Sequence, residues 1–133
     1  MLMNRTSRRR NCNEMNVGTQ TLRLATLSLG VSDIEISERF YRDILGLPTE
    51  RRGEDVEVRW DSMMLVLTSR PPAARAKFQI AFQVDSAAEV DAWAVRLRGG
   101  GVEIMSGPMD ERAQRKLYFI DPDNYELAIY SER

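Results

Sequence analysis

Histidine is absent from the chain, and cysteine occurs once, as Cys12. Without imidazole there is no His–Asp triad, no imidazole acid–base pair and no His-ligated metal site. A single thiol forms no internal disulfide and no zinc or iron–sulfur centre, and such usage fits a reducing cytoplasm. The longest apolar runs are strand-sized and fall short of a bilayer span, so no membrane partner is expected. An excess of one charge sign is also missing. The 19 Lys and Arg against 20 Asp and Glu leave a net charge of −1, which gives no reason to expect a nucleic-acid partner. What is present is 133 residues, 43% hydrophobic and 29% charged. That suffices for one domain whose core needs no covalent staple.

Residues 1–20 carry Arg5, Arg8, Arg9 and Arg10 against Glu14 alone and have no apolar period. They read as a flexible basic N-terminal tail. The domain is expected over 21–133. Within it, 24–31 alternate apolar and small polar side chains, as a strand with two different faces does. Ser32 and Glu35 have the spacing of a capping box. Ile36, Phe40, Tyr41, Ile44 and Leu45 then share one face of a helix over 33–45, which Gly46 stops. Strand-like runs follow at 47–52, 55–60 and 62–68, and Pro71-Pro72-Ala73-Ala74 reads as a linker.

The order then repeats. Residues 78–84 alternate, Ser86 and Glu89 form a second capping box, and a helix is predicted over 86–98. The glycines 99–101 end it, and runs at 102–106, 114–120 and 125–130 follow. The two serines lie 54 residues apart, and so do the two glutamates. Two copies of such a pattern predict an α+β fold of two βαβββ modules, one over about 21–70 and one over about 76–133. In each first strand the apolar face must meet the helix. The other face carries Thr26 and Ser28, or Gln79, Ala81 and Gln83. These side chains are small or polar but uncharged, which suits a ligand-holding cup formed by a curled mixed sheet.

Three segments, LGVSDIEISERFYRDILGL (29–47), FQIAFQVDSAAEVDAW (78–93) and YFIDPDNYELAIY (118–130), resemble the signature blocks of the vicinal oxygen chelate superfamily. That superfamily includes glyoxalase I, extradiol dioxygenases and the fosfomycin- and bleomycin-resistance proteins. The resemblance implies the fold, a cup-shaped site and a homodimer. It also implies where metal ligands would stand. The family's first His position, seven residues before Asp33, is Thr26, and its second is Gln79. Its Glu position, seven residues after Asp121, is Ala128, with Glu126 two residues earlier. Thr and Gln are weak oxygen donors and Ala is none. The expectation is therefore a metal-free branch of the family, with no cofactor.

The leading expectation is a metal-independent protein that binds a small organic ligand, such as an antibiotic or aromatic metabolite, as bleomycin-resistance-like proteins do. Thr26, Ser28, Gln79 and Gln83 would orient the ligand. Trp60, Met64, Val66, Tyr118 and Ala128 would supply contact area. Two alternatives stand beside it. One is a glyoxalase-like lyase or isomerase with Glu126 as general base and Tyr130 as its acid partner. The other is an interaction module whose cup is merely solvated.

Overall fold

The computed structural model describes residues 2–3, 7–8, 22–60, 63–73 and 78–132, without the side chains of Leu2, Met3, Ser7, Arg8 and Trp60. Most of the basic segment 1–20 thus lies outside the described residues. Two short strands, Leu2–Met3 and Ser7–Arg8, pair in parallel there.

The first unit comprises β1 (Thr26–Gly30), α1 (Ile34–Arg39), β2 (Thr49–Arg52), β3 (Asp55–Trp60) and β4 (Met63–Thr68). The second comprises β5 (Gln79–Gln83), α2 (Ala87–Gly99), β6 (Ile104–Glu111), β7 (Gln114–Ile120) and β8 (Glu126–Glu132). Each unit makes a four-stranded mixed sheet, ordered β1-β4-β3-β2 and β5-β8-β7-β6. The first strand of each unit runs parallel to the last, and the other neighbours are antiparallel. The α+β class and the duplicated βαβββ order thus follow the expectation.

Alternation decides which face is buried. Leu29, Val56, Val58, Leu65 and Leu67 turn inward from the first sheet, and Leu117, Phe119, Leu127 and Ile129 from the second. They join residues of both helices in one hydrophobic cluster that spans the two units. Each such side chain is worth about 1.5–3 kcal/mol of burial. Phe40 sits edge-on to Tyr41 at 5.0 Å and tilts against Phe119 of the other unit at 6.5 Å.

Two expectations need correction. Ser32 does not cap α1. Asp33 does, accepting from the amides of Glu35 and Ile36, while Ser32 donates through its amide and hydroxyl to Asp123. After Arg39 the helix widens, and the amide of Leu45 reaches the carbonyl of Phe40, five residues back. Strand β6 also runs through Gly107-Pro108 to Glu111, beyond the end expected at residue 106. These residues lie where the pairing with β7 shifts register, at the sheet edge, where a proline removes no ladder bond. Gly107 has φ +90°, and a Cβ there would stand 2.6 Å from the Lys116 carbonyl oxygen.

The turn after β7 ties the units together. Asp121 is buried, and its Oδ2 accepts from the Tyr41 hydroxyl of the first unit at 2.7 Å. Its Oδ1 accepts from the amides of Asp123 and Tyr125. The Tyr125 hydroxyl donates to the Gly30 carbonyl at 2.9 Å and accepts from the Ala73 amide at 3.1 Å. The Asp-Pro-Asp block is therefore a clasp on the junction between β1 and α1.

Candidate functional site

Residue order puts Thr26 and Ser28 on the outward face of the first sheet, where they pair with Met64 and Val66. Thr26 and Ser28 are exposed, and Met64 and Val66 are half-buried. Trp60 pairs with Met63 in the ladder, and its side chain lies outside the described residues.

On the outward face of the second sheet, Glu126, Ala128 and Tyr130 pair with Gln79, Ala81 and Gln83. Tyr118 and Lys116 flank them from β7. Gln79 donates its amide to Glu126 at 3.1 Å, and both are exposed. Ala128 is fully covered, so it closes the sheet surface and leaves no room at that point. Of the two positions weighed for the family's Glu, the ladder sets Glu126 opposite Gln79 and Ala128 opposite Ala81.

A hollow of about 710 Å³ opens on this face. Gln79, Tyr118 and Glu126 line it, together with Ser106, Glu111 and Asn124. None of its lining residues comes from the first unit. Sequence reasoning missed Glu111 because it ended the β6 strand at residue 106, and it did not single out Ser106, which lies inside the expected run. Tyr118 donates its hydroxyl to Glu111 at 2.7 Å. That bond, with help from burial and the charges of Glu111 and Glu126, pushes the phenol up to about 12. The hollow thus presents a phenol that keeps its proton, two side-chain amides and two carboxylates. Among the described residues, neither carboxylate forms an ion pair. Burial raises Tyr130 as well, and the Lys116 ammonium lies 5.1 Å and 5.9 Å from the Tyr118 and Tyr130 ring centres.

A second cavity, of about 380 Å³, lies on the helix-bearing side and is shared by the two units. Leu27, Met63, Ile80, Phe82 and Trp93 contribute to its walls. Gln83 is the one polar residue along its lining, and its place in the ladder beside Tyr130 belongs to the outward face.

Two stacked copies of one strand–helix–three-strand unit, with ligand-sized hollows on their sheets, define the class of protein. The sequence profile of the Glyoxalase/Bleomycin resistance protein/Dioxygenase superfamily matches residues 23–129, and the chain belongs to that superfamily. It is similar to a lactoylglutathione lyase of Neisseria meningitidis serogroup A, 30% identical over 128 residues, covering 84% of this chain and 92% of that protein. The fold also matches the crystal structure of a lactoylglutathione lyase from Agrobacterium tumefaciens. There the TM-score is 0.69 and the identity 23%, over 85% of this chain and 96% of that one. TnmS3, an antibiotic binding protein from Streptomyces sp. CB03234, matches with a TM-score of 0.71 and 22% identity, over 86% and 99%.

The metal implied by the resemblance can be tested on the donor set. Gln79 spends its amide on Glu126, Ala128 offers no donor, and Thr26 belongs to the other sheet. Among the described residues, no three Cys, Asp or Glu side chains gather as a metal cluster. The hollow's two carboxylates, Glu111 taken by the Tyr118 hydroxyl and Glu126 by the Gln79 amide, beside neutral oxygen donors do not fit a transition metal. No helix among the described residues is long and apolar enough to cross a membrane.

Proposed function

We propose that the protein binds a small organic molecule, without a metal or cofactor, on the outward faces of its sheets, and that it does so as a homodimer. The observation that carries this reading is the hollow on the second sheet, where Gln79, Tyr118 and Glu126 converge beside Met105 and Met109. Polar groups of fixed orientation beside adaptable apolar walls suit recognition. TnmS3, named as an antibiotic binding protein, supports binding as the activity of such a scaffold. Thr26, Ser28, Met64 and Val66 form the matching face of the other sheet. They would join the site through a second copy, because β1 and β5 are each an edge strand of their sheet. Leu22 and Leu24, just before β1, are 96% and 75% exposed, as a surface awaiting cover is.

Native mass spectrometry of protein purified from its own host tests the reading, and a retained organic mass is the expected result. Ser106→Trp, which fills the hollow from an exposed position, should remove that mass. Gln79→Ala should weaken binding by about 1 kcal/mol, the net size of one neutral hydrogen bond. Retention of the ligand by Ser106→Trp would place it elsewhere.

The name of the Neisseria relative favours a second reading, a lyase or isomerase with Glu126 as base and Tyr130 as acid partner. Four residues along one strand set their Cα atoms about 13 Å apart, which speaks against a proton relay between the two at one carbon. Loss of turnover in Glu126→Gln, with binding intact, would favour this reading over the first.

A further inference from the structure

We infer that the hollow on the second sheet takes an organic amine, held as its ammonium by Glu111 and Glu126, with an apolar body laid against Met105 and Met109. This rests on the hollow being a binding site, as proposed above, and adds the charge and hydrogen-bonding class of its occupant.

Hydrogen-bonding capacity around the hollow runs one way. The Tyr118 hydroxyl donates to Glu111 at 2.7 Å, and the Gln79 amide donates to Glu126 at 3.1 Å. Each bond spends a donor but fills only one of the several acceptor positions of a carboxylate. All four of these residues line the hollow, and so does Asn124. What the lining retains is therefore mostly acceptor: the other carboxylate lone pairs, the carbonyl oxygens of Gln79 and Asn124, and the Tyr118 oxygen. An ammonium brings three donors and no acceptor, which is the complement. An anionic occupant would bring only more acceptors.

Charge selects in the same direction. No Lys or Arg lines the hollow. Other acids of this chain are paired: Glu57 with Arg59, and Asp91 and Asp110 with Arg115. Among the described residues, Glu111 and Glu126 form no ion pair, although Glu111 is the next residue after Asp110. Both charges act on the Tyr118 phenol, so the two carboxylates stand about one ring and repel each other. Lys116 shares this face, but its ammonium lies over the Tyr118 ring at 5.1 Å, one positive charge against two negative ones. A cation between the carboxylates relieves their repulsion, and its hydrogen bonds to them are of the stronger, charge-assisted kind. The apolar part of the lining fits the rest of such a ligand. Met105 is 57% exposed, Met109 and Ile120 are half-buried, and thioether chains adapt to the body they meet.

Tryptamine, with tryptophol as its uncharged counterpart and indoleacetate as the anion, tests the assignment by calorimetric titration of the full chain. Tryptamine should bind saturably and about tenfold tighter than tryptophol, with the advantage shrinking as salt is raised. Indoleacetate should bind weakest. Glu111→Gln and Glu126→Gln should each cut the advantage about threefold, the size of one exposed ion pair. Both side chains are exposed, so neither change endangers the fold. In methyl NMR, tryptamine should shift the signals of Met105 and Met109 and leave Ile80, in the cavity between the units, in place. Equal affinity for tryptamine and tryptophol, or an advantage that survives both substitutions, overturns the ammonium assignment alone if the two methionines still respond. If none of the three probes moves those methionines, the inference falls together with the hollow as a site.

Discussion

Tyr118 and Asp121 are three residues apart and show how much a single bond direction matters. Tyr118 donates a hydrogen bond to Glu111, and its phenol is pushed up to about 12 by that bond first. Titration of carbon-13-labelled tyrosine by NMR should find one ring near that value. Glu111→Gln should bring it back toward the ordinary ~10; an unchanged midpoint would show that the bond does not form. Asp121 is governed mainly by burial, which raises its carboxyl above the ordinary 3.8 against the hydrogen bonds from Tyr41, Tyr125 and Asp123. The folded state then holds this proton more tightly than the unfolded chain. Its contribution is complete below the unfolded value and fades as pH rises through the folded one. Melting curves should therefore show the wild type losing stability relative to Asp121→Asn as pH climbs from 3.8. The opposite trend would mean that the hydrogen bonds outweigh burial. Neither effect is written in the sequence. The aromatic and acidic residues are visible there, but their pairing depends on a bulge at Gly107 and on contact between units far apart in the chain.

Among the elements, the strands with strict alternation were the most legible. Residues 55–60 and 114–120 occupy the strands expected of them to the residue, because Val56 and Val58 of the first and Leu117 and Phe119 of the second must all turn inward, and a one-residue slip would expose them. Strand 47–52, with few apolar positions, forms as Thr49–Arg52 at the outer edge of its sheet. Helix ends were harder to read. Ser32 and Asp33 both have capping side chains, and the sequence alone favours the Ser-x-x-Glu spacing. The partner that draws Ser32 away, Asp123, is 91 residues distant. Asp33→Ala should cost about 1 kcal/mol, as the loss of an N-cap does. Chemical denaturation that finds no change would return the cap to Ser32. The candidate site residues were legible as two outward faces, since period two assigns faces without knowing the fold. Their division between two sheets was not, because alternation says nothing about which sheets meet.

For the whole molecule, the proposed dimer predicts sedimentation at roughly twice 15.3 kDa at micromolar concentration. A monomer there would leave the outward faces as separate sites on one chain. The pairings repeat with the duplication. Ser28 with Val66 matches Ala81 with Ala128, and Thr26 with Met64 matches Gln79 with Glu126. The connections before the last strands do not repeat. In the first unit, residues 61–62 separate β3 from β4, while in the second the five residues 121–125 separate β7 from β8. Those extra residues include Asp121, Asp123 and Tyr125, which grip Tyr41, Ser32 and Gly30. One half has thus become a plug and the other its socket. The halves of this duplicated chain are no longer interchangeable: a protein made of two first halves would have two sockets and nothing to fill them.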